Sequence, residues 1–209
     1  MQISHVIQRT LGISLTISFL GCSSIAQATS ITFDDLHVEP TGILTVPNGY
    51  SGFQWSNIQI FNTINATPSG LVNGVVSSPN VAFNAYGGPA NFSVGSGSFN
   101  FNSAYLTGAW RDGLNVEVQG FIGTTLTYDN TYTVNSSGPM LINFNYLGVT
   151  KVNFITSGGV QNPTFPYSGN GAQVAIDNIT VSPVPEPASL ALIGLACLTS
   201  LRFFRRQQP

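Results

Sequence analysis

Apolar and polar residues alternate one by one along several stretches of this chain. The clearest run covers positions 114–119, where Leu114, Val116 and Val118 are separated by polar residues. A β-strand points successive side chains to opposite faces, so this pattern predicts strands with one buried face and one solvated face. The same alternation occurs at 53–56, 99–102, 142–146 and 152–154. Between residues 29 and 183 no stretch sustains the 3.6-residue period of a helix, and the segment is predicted to be all-β.

Residues that favour turns separate these runs. Clusters of Gly, Pro, Asn, Asp and Ser lie at 47–49, 86–89, 111–113, 128–130 and 136–139, and the segment 157–171 is predicted to be the longest loop. Eight to ten short strands at this spacing predict one jelly-roll-like β-sandwich over residues 29–183. A segment of this length is long enough to bury a core of its own.

Charge and cysteine content exclude several classes of function for residues 29–183. This segment has two basic and seven acidic residues, a formal charge of −5. The basic patch that nucleic-acid binding requires is therefore absent. Both cysteines, Cys22 and Cys197, fall outside the segment, so it has no disulfide, thiolate metal site or cysteine nucleophile.

The N-terminal 28 residues have the three parts of a secretory signal peptide. A weakly basic start precedes an apolar stretch at 11–20, and Ala26 and Ala28 form an A-x-A cleavage site. The prediction is cleavage after Ala28 and export of the domain that follows. Acylation at Cys22, as in a lipoprotein, is the alternative that the residues around it leave open.

The last 26 residues combine a proline-flanked motif, an apolar stretch and a basic end. The motif is Val184-Pro185-Glu186-Pro187, in which the prolines exclude helix and favour extended backbone. Residues 188–204 are predicted to form a short membrane helix. Its uninterrupted apolar part, 188–201, spans only about 21 Å of the ~30 Å hydrocarbon core, so it suits a transient anchor. Three arginines, which favour a cytoplasmic end, follow at Arg202, Arg205 and Arg206.

This tail resembles the PEP-CTERM sorting signal of exported proteins of Gram-negative bacteria. The resemblance covers residues 184–209 and implies export through the inner membrane, transient anchoring and recognition by an exosortase, a membrane processing enzyme. It also implies a final location at the cell surface or in the extracellular matrix. An ordinary tail anchor without processing is the alternative. The exported domain resembles a group of secreted proteins without an assigned function, through segments at 55–57, 74–84, 103–114 and 143–149.

Acidic residues interrupt the alternation near both ends of the exported domain. Asp34 and Asp35 follow one apolar pair, and Asp177 and Asn178 separate two others, so that the phase slips at each place. We expect a β-bulge in both strands. Terminal strands of jelly rolls often lie side by side, and the four side chains could then form an oxygen site for Ca²⁺. Both motifs resemble the terminal strands of calcium-carrying carbohydrate-binding jelly rolls. The alternative is that these side chains only accept hydrogen bonds from nearby backbone.

Carbohydrate binding is the ligand chemistry that the sequence favours, because sugars stack on flat aromatic rings. The candidate rings are Trp110, Phe165 and Tyr167, whereas Trp55 shares a strand face with Phe53 and is predicted to be in the core.

Candidate catalytic groups are few in the exported domain. His37 could act as the base of a serine nucleophile, but the domain has no Gly-x-Ser-x-Gly motif. Glycoside hydrolysis requires a pair of carboxylates, and Glu39 and Glu117 are the only glutamates of the domain. Arg111 and Asp112 are predicted to form an ion pair in a turn. The chain is therefore predicted to be a non-enzymatic exported protein that binds exopolysaccharide. The alternatives are a structural or adhesion module without a defined ligand, and a secreted polysaccharide-active enzyme.

Overall fold

The computed structural model describes residues 27–165 and 171–184. Most of the predicted signal peptide and the tail from Pro185 onward lie outside the described residues, and so does the predicted helix 188–204. Within the described part of the chain, no helix is long and apolar enough to cross a membrane.

The described residues form two antiparallel sheets that face each other, which confirms the predicted jelly-roll-like β-sandwich. They contain twelve strands rather than the eight to ten predicted. The strands are β1 (Thr29–Ile31), β2 (Ile43–Thr45), β3 (Gln54–Ser56), β4 (Ile58–Asn62), β5 (Asn80–Asn84), β6 (Ala90–Ser93), β7 (Phe99–Gly108), β8 (Arg111–Ile122), β9 (Thr125–Val134), β10 (Met140–Val149), β11 (Lys151–Gln161) and β12 (Val174–Pro183).

One sheet has seven strands and the other has five. In the larger sheet the order is β10-β7-β12-β5-β4-β2, with β1 also paired to β12, and in the smaller sheet it is β3-β6-β11-β8-β9. The apolar residues of each alternating stretch point between the sheets and form the main core. Trp55 lies in this core at 6% exposure, as predicted, stacked on Phe92 with a ring-centroid distance of 5.3 Å.

A second, smaller apolar cluster covers the outer face of the seven-stranded sheet. Leu71, Val81, Phe83, Ala109 and Ala175 are buried there. Leu71 belongs to the short helix α1 (Gly70–Asn73), which begins after Ser69, whose side chain accepts a hydrogen bond from the Val72 amide. The Gly70 amide donates to the Ala109 carbonyl at 2.8 Å, and this contact holds α1 against the β7–β8 turn.

The strand β12 defines the two ends of the sandwich. At one end Val174 pairs with Gly108, and at the other Val181 pairs with Thr29 and Pro183 pairs with Phe99. We call the first the distal end and the second the tail end, because the chain leaves for its C-terminal tail there. Ten extended residues separate the two ends by roughly 30 Å.

Three predicted turns or loops are wrong in position. The 111–113 cluster lies inside β8, and the chain turns instead at Ala109-Trp110, where the Ala109 amide donates to the Gln173 carbonyl and the Asn162 amide donates to the Trp110 carbonyl. The 128–130 cluster lies inside β9, because Gly123, with φ of 60°, makes the hairpin turn earlier. The loop predicted at 157–171 starts later, since β11 continues to Gln161 by pairing with β8.

The expected bulges occur in only one of the two terminal strands. In β12 the register with β7 shifts between Asp177 and Thr180, which confirms the predicted bulge. In the N-terminal segment the prediction is wrong, since β1 ends at Ile31 and Phe33 takes a left-handed conformation with φ of 65°. The two strands do lie side by side, as expected, because β1 pairs with β12.

Candidate functional site

On one edge of the strand β12, the first half pairs with one strand and the second half pairs with another. The acidic residues lie where the pairing partner changes. Along one edge β12 pairs with β5 at Ala175 and Ile176, then with β1 from Ile179 onward. Asp177 and Asn178 occupy the gap between these two partners. Asn178 adopts a left-handed conformation with φ of 49°, which asparagine tolerates better than most residues. We call the group Ser77, Asn80, Asp34, Asp177 and Asn178 the acidic corner.

The Asp177 side chain is fully buried and accepts hydrogen bonds from the loop that precedes β5. Its Oδ2 accepts from the backbone amides of Val76 at 2.7 Å and Ser77 at 3.0 Å, and its Oδ1 accepts from the Asn178 amide at 2.7 Å. Burial raises the pKa of this carboxyl to about 6, against the lowering effect of these hydrogen bonds. The charge of nearby Asp34 contributes to the rise, which shows that the two carboxylates are within electrostatic reach.

The remaining predicted ligands divide between the corner and a neighbouring site. Asp34 accepts from the Asn80 amide at 2.9 Å and so belongs to the corner. Asp35 is exposed and accepts instead from the Tyr50 hydroxyl at 2.6 Å, which together with burial raises the pKa of Tyr50. The corner therefore brings together Asp34, Asp177 and Asn178 but not Asp35.

The corner offers oxygen atoms, which are the ligands that a hard cation prefers. It offers fewer charged oxygen ligands than such a site usually has. Among residues 27–165 and 171–184, no group of three or more His, Cys, Asp and Glu side chains could hold a metal ion. The charged donors are thus Asp34 and Asp177. The Ser77 hydroxyl lies 2.7 Å from the Asn178 Oδ1 and 3.3 Å from the Asp177 Oδ1. The Oδ1 of the fully buried Asn80 has no hydrogen-bond partner among the described residues, although its Nδ2 donates to the carbonyls of Phe33 and Leu36.

An apolar cleft lies beside Trp110. Its volume is about 240 Å³, and it opens on the outer face of the seven-stranded sheet. We call it the Trp110 cleft, and its main lining residues are Ile43, Phe61, Leu71, Phe83, Trp110 and Gln173. The Gln173 Oε1 is buried without a hydrogen-bond partner among the described residues. The cleft thus combines half-buried aromatic rings with the amide side chain of Gln173.

Of the three rings predicted to bind sugar, Trp110 lines this cleft and Phe165 contacts Trp110. Phe165 packs edge-on against Trp110, with ring centroids 6.3 Å apart, and Tyr167 lies outside the described residues. The neighbouring polar residues have structural contacts. Arg111 donates to the Gly158 carbonyl at 2.9 Å, and Asp112 accepts from both the amide and the hydroxyl of Ser136, which lowers the pKa of its carboxyl.

Sequence reasoning missed the most exposed aromatic residue of the described chain. Tyr86 is 90% exposed in the turn between β5 and β6. The cluster at 86–89 correctly predicted a turn, but nothing in the pattern showed that the tyrosine would point into solvent.

The candidate catalytic residues are dispersed. His37 is exposed and lies 3.3 Å from Glu39 in the segment after β1. Glu117 lies on the outer face of β8 in the five-stranded sheet and accepts from Gln119 at 2.6 Å. The two glutamates thus occupy different parts of the sandwich.

Comparison with known proteins identifies the tail. Residues 183–207 match the family described as PEP-CTERM protein-sorting motif. No curated protein matches the chain.

Three solved structures are similar to this chain at low sequence identity and low TM-score. TmCBM61 in complex with β-1,4-galactotriose has a TM-score of 0.34 and 9% identity, over 68% of this chain and 97% of that one. The CBM22-1-CBM22-2 tandem domain of Paenibacillus barcinonensis Xyn10C has a TM-score of 0.39 and 10% identity, over 78% of this chain and 48% of that one. A CBM4 structure has a TM-score of 0.27 and 11% identity, over 76% of this chain and 95% of that one.

The tail, unlike the fold, says where the protein goes. A PEP-CTERM motif marks proteins that are exported through the inner membrane, anchored there transiently and released to the surface or matrix. The chain is thus an exported β-sandwich protein that carries a PEP-CTERM protein-sorting motif at residues 183–207.

Proposed function

We propose that the exported domain binds a neutral polysaccharide of the extracellular matrix through the Trp110 cleft. The observation that carries this proposal is the cleft itself, an aromatic-lined depression that lies outside the main core. It also contains a buried amide oxygen that has no partner within residues 27–165 and 171–184. A sugar ring presents an apolar face to an aromatic side chain and hydroxyl groups to an amide. Trp110 would supply the first contact, and the amide side chain of Gln173, which also lines the cleft, is the candidate for the second.

The charge of the domain supports a neutral rather than an acidic glycan. Residues 29–183 carry a formal charge of −5, which opposes the approach of a polyanion. Their two basic side chains are also engaged elsewhere. Arg111 donates to the Gly158 carbonyl, and the Lys151 ammonium lies 4.2 Å from the centre of the Phe121 ring.

The experiment measures binding of the full chain, purified in mild detergent, to polysaccharide extracted from the matrix of the cells that export it. We expect saturable binding, and we expect Trp110→Ala to weaken it about tenfold or more because buried aromatic contacts dominate such sites. Trp110→Phe keeps a ring and should retain most of the affinity. Leu147→Ala, which alters an exposed apolar side chain at the tail end, is the matched control.

Two results would replace this proposal with an alternative. Absence of saturable binding would favour a structural or adhesion module. Release of reducing ends from the polysaccharide, lost in Glu39→Gln or Glu117→Gln, would instead favour an enzyme, whereas we propose a protein without hydrolytic activity.

We also propose that the acidic corner binds one Ca²⁺ ion through Asp34, Asp177 and Asn178, with Asn80 as a further donor. Two carboxylates lie close together here, and the buried Asn80 oxygen lacks a partner, so a cation would satisfy groups that the described residues leave unpaired. The measurement is the melting temperature of the full chain in Ca²⁺ and in chelator. At saturating Ca²⁺ we expect a rise of about 5–10 °C, abolished in Asp34→Asn. An equal melting temperature in both conditions would contradict the site and leave these side chains as hydrogen-bond acceptors only.

Processing of the tail by an exosortase completes the proposal. In a host that has such an enzyme, the intact mass of the mature protein should correspond to a C-terminus between Pro185 and Pro187. A mature protein that retains Arg202–Arg206 would identify an ordinary tail anchor instead.

A further inference from the structure

Tyr86 has a position and a conformation that packing does not explain. Its side chain is 90% exposed, so the ring contributes little to the core. Its backbone is in the left-handed region, with φ of 56° and ψ of 14°, which disfavours a residue that has a Cβ atom. Both the left-handed backbone and the exposure of the ring to water cost free energy. Residues with strained backbone concentrate at functional sites.

The side-chain amides of Asn84 and Asn57 hold this turn in place. The Asn84 side chain is fully buried, where its Nδ2 donates to the Gly88 carbonyl at 2.9 Å and its Oδ1 accepts from the Val174 amide at 2.7 Å. Asn57 Nδ2 donates to the carbonyls of Ala85 and Pro89, both at 3.1 Å. These bonds fasten both sides of the turn to the sandwich. The ring of Tyr86 is therefore presented on a fixed backbone rather than on a loose loop, which reduces the entropy lost on binding.

The Tyr86 turn lies at the same end of the sandwich as the Trp110 cleft. Val174 begins β12 and pairs with Gly108, next to the Trp110 turn, while its amide donates to Asn84 beside Tyr86. Both aromatic residues are thus at or near the distal end. The tail leaves at the other end, roughly 30 Å away along β12. Tyr86 and Trp110 are therefore far from the point where the described chain ends at residue 184.

We propose that Tyr86 is a second sugar-contacting residue, whose ring stacks on a pyranose unit of the same neutral polysaccharide chain that enters the Trp110 cleft. This inference rests on the proposed function, which it extends to an outward-facing site with two aromatic contacts. The turn around Tyr86 consists of small, uncharged residues, Ala85, Gly87, Gly88 and Pro89. A single ring on such a surface suits one sugar face, whereas a stable protein interface buries about 800 Å² on each partner.

The test separates binding from stability at one position. In Tyr86→Asn and Tyr86→Gly the new residue tolerates the left-handed backbone better than tyrosine, so the melting temperature should equal or exceed that of the unaltered chain. Affinity of the full chain for the matrix polysaccharide should nevertheless fall about fivefold or more. Tyr86→Trp should retain or increase it. Leu147→Ala again serves as the control at the tail end.

The outcomes distinguish this inference from the proposed function. If Trp110→Ala weakens binding and Tyr86→Asn does not, the Tyr86 contact is overturned and the cleft stands. If the unaltered chain does not bind, both fail. A fall in affinity that accompanies a lower melting temperature in both Tyr86→Asn and Tyr86→Gly would show a structural role for the tyrosine and would also overturn the inference.

Discussion

Charged side chains usually lie on the surface of a protein and aromatic side chains usually lie inside it. The acidic corner departs from the first rule and the distal end departs from the second. At the corner a carboxylate is fully buried, and at the distal end an aromatic ring is almost fully exposed. Asp177 receives hydrogen bonds from Val76, Ser77 and Asn178, which lie in its own chain. Within residues 27–165 and 171–184, the Tyr86 side chain makes no comparable contact that would explain its place.

This difference separates a structural role from a binding role. A buried polar group is tolerated only when it is hydrogen-bonded, and the corner satisfies most of its groups internally. An exposed ring on a strained and fixed turn does not stabilise the fold by packing. We therefore assign it a role in contacting a ligand. The comparison leads to one expectation: alterations at the corner change stability, and alterations of the distal aromatic residues change binding.

The largest effect on stability is expected from Asp177→Ala. This change leaves the amides of Val76 and Ser77 without the buried carboxylate that accepts their hydrogen bonds, and it should lower the free energy of unfolding by about 3 kcal/mol. Urea denaturation of the full chain measures it. Asp129→Ala removes an exposed carboxylate from β9 and should change stability by no more than about 0.5 kcal/mol. Equal effects of the two substitutions would show that the buried carboxylate of the corner is no more important for stability than an exposed one.

An intermediate effect is expected from Asn84→Ala, which tests whether the distal end also contains structural polar groups. The substitution breaks the bonds to Gly88 and Val174 and should cost about 2 kcal/mol of stability. It should also weaken polysaccharide binding, because the turn that presents Tyr86 loses its anchor. Asn153→Ala, in which a half-buried amide on the outer face of β11 is lost, is the matched control. Unchanged binding in Asn84→Ala would show that a fixed turn is not required.

The smallest effect is the pH dependence of stability, measured in chelator so that no metal competes for the carboxylate. The folded-state pKa of Asp177, about 6, is above its ordinary value of 3.8. Between these values the folded chain holds a proton that the unfolded chain has released, so stability should fall as pH rises from about 4 to 6. Melting temperatures at intervals across this range measure it. In Asp177→Asn this fall should disappear, and its persistence would assign it to another group.

Individual elements show how far local patterns could be trusted. The alternation at 114–119 correctly predicted β8 and its buried face, and Trp55 was correctly placed in the core. The turn residues at 111–113 and 128–130 misled, because each cluster is held extended by one long neighbouring strand. Residues 111 and 112 pair with β11, and residues 128–130 pair with β8. The phase slip at Asp177 predicted a real bulge, whereas the similar slip at Asp34 marked the end of a strand.

The candidate sites show the same limit. Phe165 lies on the loop where it was predicted, and a sugar-binding role for Phe165 and Trp110 stays a prediction. The structure adds the Trp110 cleft, between strands distant in sequence, and a Gln173 oxygen without a partner among the described residues. Asp35 was grouped with Asp34 because the two are adjacent, yet it pairs with Tyr50, 15 positions away. Tyr86 could not be found from its neighbours, since exposure is a property of the assembled surface.

The sequence by itself determined the strands, the orientation of their apolar faces and the sorting motif, because each of these depends on residues within a short window. Only the tertiary structure decided which backbone groups remained to be paired where β12 changes partner. Asp177 meets Val76 across 101 positions, and Asn84 meets Val174 across 90. Contacts at such separations depend on how the whole chain packs into two sheets. The roles of Asp177 and Tyr86 therefore became visible only in the folded molecule.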